Sequence, residues 1–230
     1  MKKKSWTIVV LLLFVVVVFP ASELQAQAGK GKYLIMIDPA HGGEDTGVNL
    51  TDKYHEKDLV LAIAQAVRKE FAQSGKYEIK LTRSVDRLIS ITDRIKIVKA
   101  AQPDLFISFH VNAGFGKNAS GYELYFPGFA EASSGNGGSS AIIKDMTRNK
   151  YLNDSVKWAQ IIQRNLQKVF PRKGRGLREA DTLILKDLTI PSVVLEIAFA
   201  TNPHDHEKLM EGKTRQAVTE AISRSIKEYF

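Results

Sequence analysis

Three short apolar runs, each ending in a residue able to do chemistry, constrain this chain more than any other feature. Tyr33–Ile37 stops at Asp38-Pro39, and Ala40, His41, Gly42 and Gly43 follow at once. Leu105–Phe109 ends at His110, and Ser192–Leu195 ends at Glu196. An unbroken apolar, β-branched run reads as a strand buried on both faces, the pattern of parallel sheets covered by helices. The intervening segments fit that scheme. From Glu56 onward Leu59, Ile63, Ala66 and Val67 recur at a helical period, and Gly75 stops it. Tyr77–Leu81 reads as a strand, Ile89–Ala101 as a helix with Ile91, Ile95 and Val98 on one face, and Pro103 restarts the chain into the strand 104–109. This order predicts a single α/β domain: a central, mainly parallel or mixed sheet flanked by helices on both faces. Sites in such sheets are built beyond the C-terminal strand ends, where His41, His110 and Glu196 stand.

The second half is more mixed. Gly121–Phe126 alternates and carries aromatics, so it reads as a strand. Residues 127–152 open with a Gly/Ser-rich stretch and read as an insertion, weakly helical from Ala141. Asn153-Asp154-Ser155 reads as a helix start, with Val156–Phe170 as the helix. Pro171–Arg178 is read as a basic loop, and Leu183–Leu185 and Val193–Leu195 as strands. Asn202-Pro203 opens a short helix, and Thr214–Tyr229 is an amphipathic last helix. His204-Asp205-His206 reads as a solvated turn at a helix start rather than a second metal site.

The N-terminal segment lies outside this scheme. Lys2, Lys3 and Lys4 precede an almost unbroken apolar stretch, Trp6–Phe19, which Pro20 breaks before the small residues Ala26 and Ala28. This is the order of an exported chain's signal peptide, residues 1–28, with Leu24–Gln25–Ala26 as a second possible cleavage site. Fourteen helical residues span roughly 21 Å, short of a ~30 Å hydrocarbon core, which argues against a membrane anchor. The expected home is the periplasm, with the extracellular wall as the alternative. The chain carries +8 overall, and its first 28 residues hold three lysines and one glutamate, leaving +6 for residues 29–230. A basic surface suits an anionic partner. No interleaved basic–aromatic motif points to nucleic acid.

There is no cysteine, so disulfides and thiolate nucleophiles or ligands are excluded. Any metal must be held by His, Asp or Glu. A catalytic zinc site takes three protein ligands and keeps one position open. His41, Glu56 and His110 supply such a set, each at the edge of a regular element, and Glu196 is suited to moving protons beside it. From the residues alone, hydrogen-bonded histidines with a structural role stand equally beside this reading. His55-Glu56 is not the helical zinc-protease motif, because position 59 is Leu.

The chain resembles the zinc-dependent N-acetylmuramoyl-L-alanine amidases of bacteria, the type-3 amidases. The resemblance runs from Tyr33 to Phe230 and rests on IMIDPAHGGEDTG (35–47), EKDLVLAIA (56–64), LTRSVDR (81–87), DLFISFHVNA (104–113), GYELYF (121–126), NDS (153–155) and PSVVLEIAFATNP (191–203). It implies zinc bound by His41, Glu56 and His110, with Glu196 as the catalytic glutamate. It implies hydrolysis, in peptidoglycan, of the amide between N-acetylmuramic acid and L-alanine of the stem peptide. Some members of that family carry an insertion that covers the site until an activator protein binds. Here 127–152 is the matching place, with Glu131 or Asp145 as lid residues, although a tolerated surface loop is the plainer expectation. Asn112 is expected to bind substrate or to stabilise a turn, Asp38 to support His41 or cap a strand end, and Arg83 and Arg94 to form structural ion pairs. Gly42 and Gly43 are expected to leave room for substrate. The chain is expected to act as a monomer. The alternatives are another zinc peptidase or deacetylase on the same scaffold, and a non-catalytic wall-binding module.

Overall fold

Residues Tyr33–Pro39 form β1, Glu56–Glu70 α1, Tyr77–Leu81 β2, Ile91–Ala101 α2 and Leu105–Asn112 β3. Then come β4 (Glu123–Phe126), α3 (Ser139–Leu166), β5 (Gly176–Glu179), β6 (Ser192–Phe199), α4 (Pro203–Met210) and α5 (Gly212–Tyr229). The computed structural model describes residues 31–114, 116–128, 139–170, 176–185 and 188–230. The signal segment with both its cut sites and the Gly/Ser stretch 129–138 lie outside the described residues, as do residues 171–175.

The strands make one six-stranded sheet in the order β2-β1-β3-β6-β4-β5. The pairs β1–β2, β1–β3, β3–β6 and β4–β5 are parallel, and β4–β6 is antiparallel. Side chains alternate between the two faces. Ile35, Ile37, Ile107, Val193 and Leu195 enter a large core beneath α1, α3 and α5, with Leu59, Ile63, Trp158, Ile162, Val218 and Ile222 facing them. Met36, Phe106 and Val194 point the other way, against Val98 of α2 and against Ile184 and Leu185. Both faces are covered by helices, as the continuous apolar runs require, and the sheet is mixed.

The helix ends follow local chemistry. Ser90 Oγ accepts the Asp93 N–H at 3.1 Å to open α2, and Gln102 closes it at φ 46°. Asn202 Oδ1 accepts the N–H groups of His204 and Asp205 to open α4. Among the described residues no helix is long and apolar enough to cross a membrane.

Two expectations give way here. Asn153-Asp154-Ser155 does not start a helix; α3 runs straight through it from Ser139. The residues that look like a cap are satisfied elsewhere. Ser155 Oγ donates to the Tyr151 carbonyl at 2.7 Å and accepts the Ser192 N–H at 2.9 Å, while Asp154 pairs with Lys150 one turn back at 3.1 Å. Leu183–Leu185 is a turn, not a strand, with Ile184 and Leu185 plugging the second core. The edge strand is instead β5, in the stretch read as a basic loop. Its partner β4 supplies the hydrogen bonds that make four polar-flanked residues extended, a tertiary cause with no local signal.

Candidate metal centre

The sheet order fixes where a site can form. The chain leaves β1 for β2 on one side and then crosses to β3 on the other, so the crevice between the C-terminal ends of β1 and β3 is a topological switch point. His41 follows β1 and His110 stands near the end of β3. His110 is in register with Glu196 of β6, which is in register with Glu123 of β4. Register partners share a face, so His110, Glu196 and Glu123 form a row across three strands on the α2 face. Glu56, the first residue of α1, reaches over these ends from the opposite face. It is 1 % exposed. Its Oε1 accepts the Val111 N–H and its Oε2 the Val48 N–H, both at 2.9 Å.

These placements bring one ligand atom each of His41, Glu56 and His110 within 4.8 Å of one another. Glu56 Oε1 is 3.0 Å from His41 Nε2 and 3.3 Å from His110 Nδ1. The rings of His41 and His110 stand edge-on, 5.3 Å between centroids. The second ring nitrogen of His41, Nδ1, meets Asp45 Oδ2 at 2.8 Å. A histidine that ligates a metal characteristically gives its other nitrogen to a carboxylate, which fixes tautomer and ring direction.

The electrostatics are those of a tight cluster. Burial opposes charge on His41, but the carboxylates of Glu56 and Asp45 outweigh it and raise its pKa to about 8. Burial likewise opposes charge on Glu56, yet the hydrogen bonds and charges of His110 and His41 bring it down to about 2. Glu196 goes the other way. Burial is the largest influence and raises it to about 7; the charges of Glu56 and Glu123 act in the same direction, while those of His110 and His41 oppose it. Its Oε2 is buried with no hydrogen-bond partner among the described residues.

The loop carrying His41 is bent by backbone that side chains disfavour. His41 has φ 60°, Gly42 128° and Gly43 61°. A left-handed non-glycine residue costs about 1–2 kcal/mol, which neighbours must offset. A Cβ on Gly42 would lie 2.2 Å from the Arg87 carbonyl oxygen, and one on Gly43 2.8 Å from the Leu88 nitrogen. These glycines are therefore explained by the 87–88 segment crossing over them, not by access for substrate. Asp86 fastens the crossing: it accepts the Gly43 N–H at 2.7 Å and the Lys57 ammonium at 2.7 Å.

The other sequence-predicted residues divide. Asp38 is buried but does not touch the His41 ring. It pairs with Arg94 at 2.6 Å and accepts from Thr82 and Ser108, so the carboxylate on the ring is that of Asp45. Asn112 donates to Glu123 Oε2 at 2.8 Å, within the protein. Glu131 lies outside the described residues, and Asp145 falls on α3 with its side chain outside them. Asp205 is no solvated turn residue: it is buried and accepts the N–H groups of Gly121 and Phe199 at 2.6 and 3.1 Å. Sequence reasoning missed Asp45 and Glu123. Asp45 lies four residues after His41 in a loop, where spacing carries no geometric meaning. Glu123 did leave a signal, an acid inside the otherwise apolar and aromatic run Tyr122–Phe126. It also meets the Tyr125 hydroxyl at 2.8 Å and Arg178 Nε at 3.4 Å.

Comparison with known proteins bears on what this arrangement is for. The chain is 30% identical over 237 residues to the N-acetylmuramoyl-L-alanine amidase AmiC of Escherichia coli O6:H1, covering 92% of this chain and 57% of that protein. It thus spans little more than half of that relative's length. It is 29% identical to AmiA of Escherichia coli K12, covering 91% of this chain and 80% of AmiA. Its fold superposes on the crystal structure of an N-acetylmuramoyl-L-alanine amidase from Clostridium difficile 630 with TM-score 0.72 and 26% identity, covering 87% of this chain and 97% of that one. Residues 35–228 match the sequence profile of Amidase_3, N-acetylmuramoyl-L-alanine amidase. That span contains every element from the C-terminal half of β1 to the last turn of α5, and with it the whole His41–Glu56–His110–Glu196 cluster, so the chain belongs to the Amidase_3 family of N-acetylmuramoyl-L-alanine amidases.

Proposed function

We propose that the chain is an exported, zinc-dependent peptidoglycan amidase that cuts the bond between the lactyl group of N-acetylmuramic acid and L-alanine of the stem peptide. The observation that carries this reading is the pairing of two different environments at one sheet edge. Two imidazoles and a carboxylate converge there, and Glu196, whose Oε2 is buried with no hydrogen-bond partner among the described residues, stands in the row beside them.

The donor set fits zinc. It offers two nitrogens and one oxygen, no thiolate, from three separate elements, and Asp45 already orients one of the imidazoles. Bound there, zinc supplies a Lewis acid that acidifies water and polarises a carbonyl. The remaining work falls to the chain. Glu196, with a pKa near 7, is poised to hold a proton or release it. It accepts a proton from water as the water oxygen bonds to the lactyl carbonyl carbon. It then delivers that proton to the alanine nitrogen as the C–N bond breaks. The products are a lactyl carboxylate and a free L-alanine amine. Export is supported by the lysine cluster and apolar run at residues 2–19, and the +6 charge of the remainder suits an anionic wall.

The test is digestion of purified peptidoglycan, with products read by mass. Intact glycan strands and stem peptides with new L-alanine amines are expected, lost on chelation and restored by zinc. Cleavage at another bond would point to a peptidase or deacetylase. Activity indifferent to chelator would overturn the metal reading, and a function that survives Glu196→Gln would indicate a wall-binding module.

A further inference from the structure

Two buried arginines lie beneath the metal centre and touch none of its ligand atoms. Both are sunk to an unusual degree, Arg83 at 1 % and Arg94 at 4 % exposure. Burying a guanidinium is costly unless its donors are used. Here nearly all are spent on backbone carbonyls: those of Val85 and Ile89, close in sequence to the arginines, and those of Pro39, Ala40, His41 and Lys57, in the segments that carry the ligands. Arg94 Nη2 donates to the His41 carbonyl at 2.5 Å and Nη1 to the Pro39 carbonyl at 2.9 Å. Arg83 Nε donates to the Pro39 carbonyl, and its Nη2 is shared between the carbonyls of Ala40 and Lys57, all at 2.8 Å. Every carbonyl from 39 to 41 therefore faces a guanidinium. Lys57 is the residue after Glu56, so Arg83 also joins the His41 loop to the start of α1.

The arginines are themselves anchored. Asp38 Oδ1 lies 2.6 Å from Arg94 Nη1, and Asp38 is held in turn by Thr82 and Ser108. Arg94 Nε donates to the Ile89 carbonyl at 3.0 Å, ahead of its own helix. Only a planar fork with several fixed donors can serve carbonyls that diverge in this way; an ammonium offers one point of charge.

We infer that Arg83 and Arg94 are positioning residues for the metal centre, a role resting on the zinc reading above. They hold His41 in its left-handed backbone conformation, φ 60°, and tie it to the Glu56 segment, so that His41 Nε2 and Glu56 Oε1 converge before any ion arrives. The positively charged pair lies under the backbone and not beside the ligand atoms, so its action is through geometry. The hydrogen-bond set does more than stabilise the domain: it converts a loop, ordinarily the most mobile kind of segment, into a preorganised ligand.

The experiment is zinc affinity measured on folded protein. Arg94→Lys and Arg83→Lys are prepared free of metal, far-UV circular dichroism and cooperative unfolding establish that each is folded, and zinc is titrated against a chromophoric chelator. The visible spectrum of the cobalt-loaded protein is recorded as a second readout. A roughly 10–100-fold weaker zinc affinity is expected for each variant, the scale typical of groups that orient metal ligands, with an altered cobalt spectrum. A purely structural role predicts a lower unfolding midpoint with zinc affinity and cobalt spectrum within twofold of the wild type, and that result overturns the inference. A wild-type protein that binds no zinc overturns the metal reading itself, which separates the two failures. Should either lysine variant not fold, Asp38→Asn decides. It keeps an acceptor for Arg94 but removes the anchoring charge, and roughly threefold to tenfold weaker zinc binding is expected; unchanged affinity overturns the inference.

Discussion

Replacing Glu196 with Gln should cost the enzyme its activity and make the metal-free protein more stable, and the gain should depend on pH. The structure supplies the magnitude. Glu196 is raised from 4.5 to about 7 by burial and by the charges of Glu56 and Glu123. A carboxyl whose folded pKa exceeds its unfolded value contributes stability that is fully present below about pH 4.5 and is lost as pH rises through 7. A shift of this size corresponds to about 3 kcal/mol in the alkaline limit. Glutamine has the same shape and no charge, so it removes this loss. Chelator-treated wild type and Glu196→Gln should therefore have similar thermal midpoints near pH 4, separate progressively between about pH 4.5 and 7 and stay apart above that, the variant ending higher by roughly 6–12 °C for a domain of this size. His41, raised to about 8, adds a slope of the same sign to the wild type, so the difference between the two curves, not the wild-type curve alone, reports Glu196. Differential scanning calorimetry across pH with a chelator present is the assay, paired with a turnover measurement on the zinc-loaded proteins, where a loss of at least 100-fold is expected. Midpoints that stay parallel from acid to alkaline pH would refute the reasoning, because they would mean that the Glu196 carboxylate is adequately solvated in the folded state.

Three further outcomes test other parts of the structure. Asp45→Asn should let the His41 pKa fall from about 8, since one of the two carboxylates that raise it is lost, and should weaken zinc binding roughly 10–100-fold; an NMR titration of the metal-free protein and a chelator competition check the two halves. Gly42→Ala should destabilise the fold by roughly 1–3 kcal/mol and misplace His41, because the new Cβ would collide with the Arg87 carbonyl and the backbone there has φ 128°; urea unfolding measures the first effect and zinc affinity the second. Trp158→Ala should cost about 3–5 kcal/mol, the ring being fully buried under the sheet, while leaving the zinc affinity of the folded fraction unchanged, because the ring packs in the core away from the ligands.

How far the chain could be read in advance depended on whether a signal was local. The strand runs at 33–37 and 105–109 and the helices from Glu56 and Ile91 carry their own periodicity, so the parallel half of the sheet was legible. Residues 176–185 were not. A four-residue edge strand owes its extension to β4, and the apolar Ile184 and Leu185 fill a gap in the second core from a turn. Asn153-Asp154-Ser155 misled for a related reason, since a side chain that caps a helix from outside can also bond within one when Ser192 lies next to it.

The sequence by itself determined which residues stand at strand ends, because burial on both faces writes an unbroken apolar run that stops where the strand stops. That placed His41, His110 and Glu196 at one edge, and the absence of cysteine limited any metal to nitrogen and oxygen donors. Only the tertiary structure decided how those ends meet. Register across β3, β6 and β4 sets Glu196 between His110 and Glu123, and burial there, aided by the Glu123 charge and opposed by that of His110, gives Glu196 its pKa near 7. Asp45, and not Asp38, faces the His41 ring because the left-handed turn at His41 reverses the chain, a bend that Arg83 and Arg94 reach from 43 and 53 residues away to hold. Hydrogen bonds between segments so distant have no period and leave no pattern along the chain.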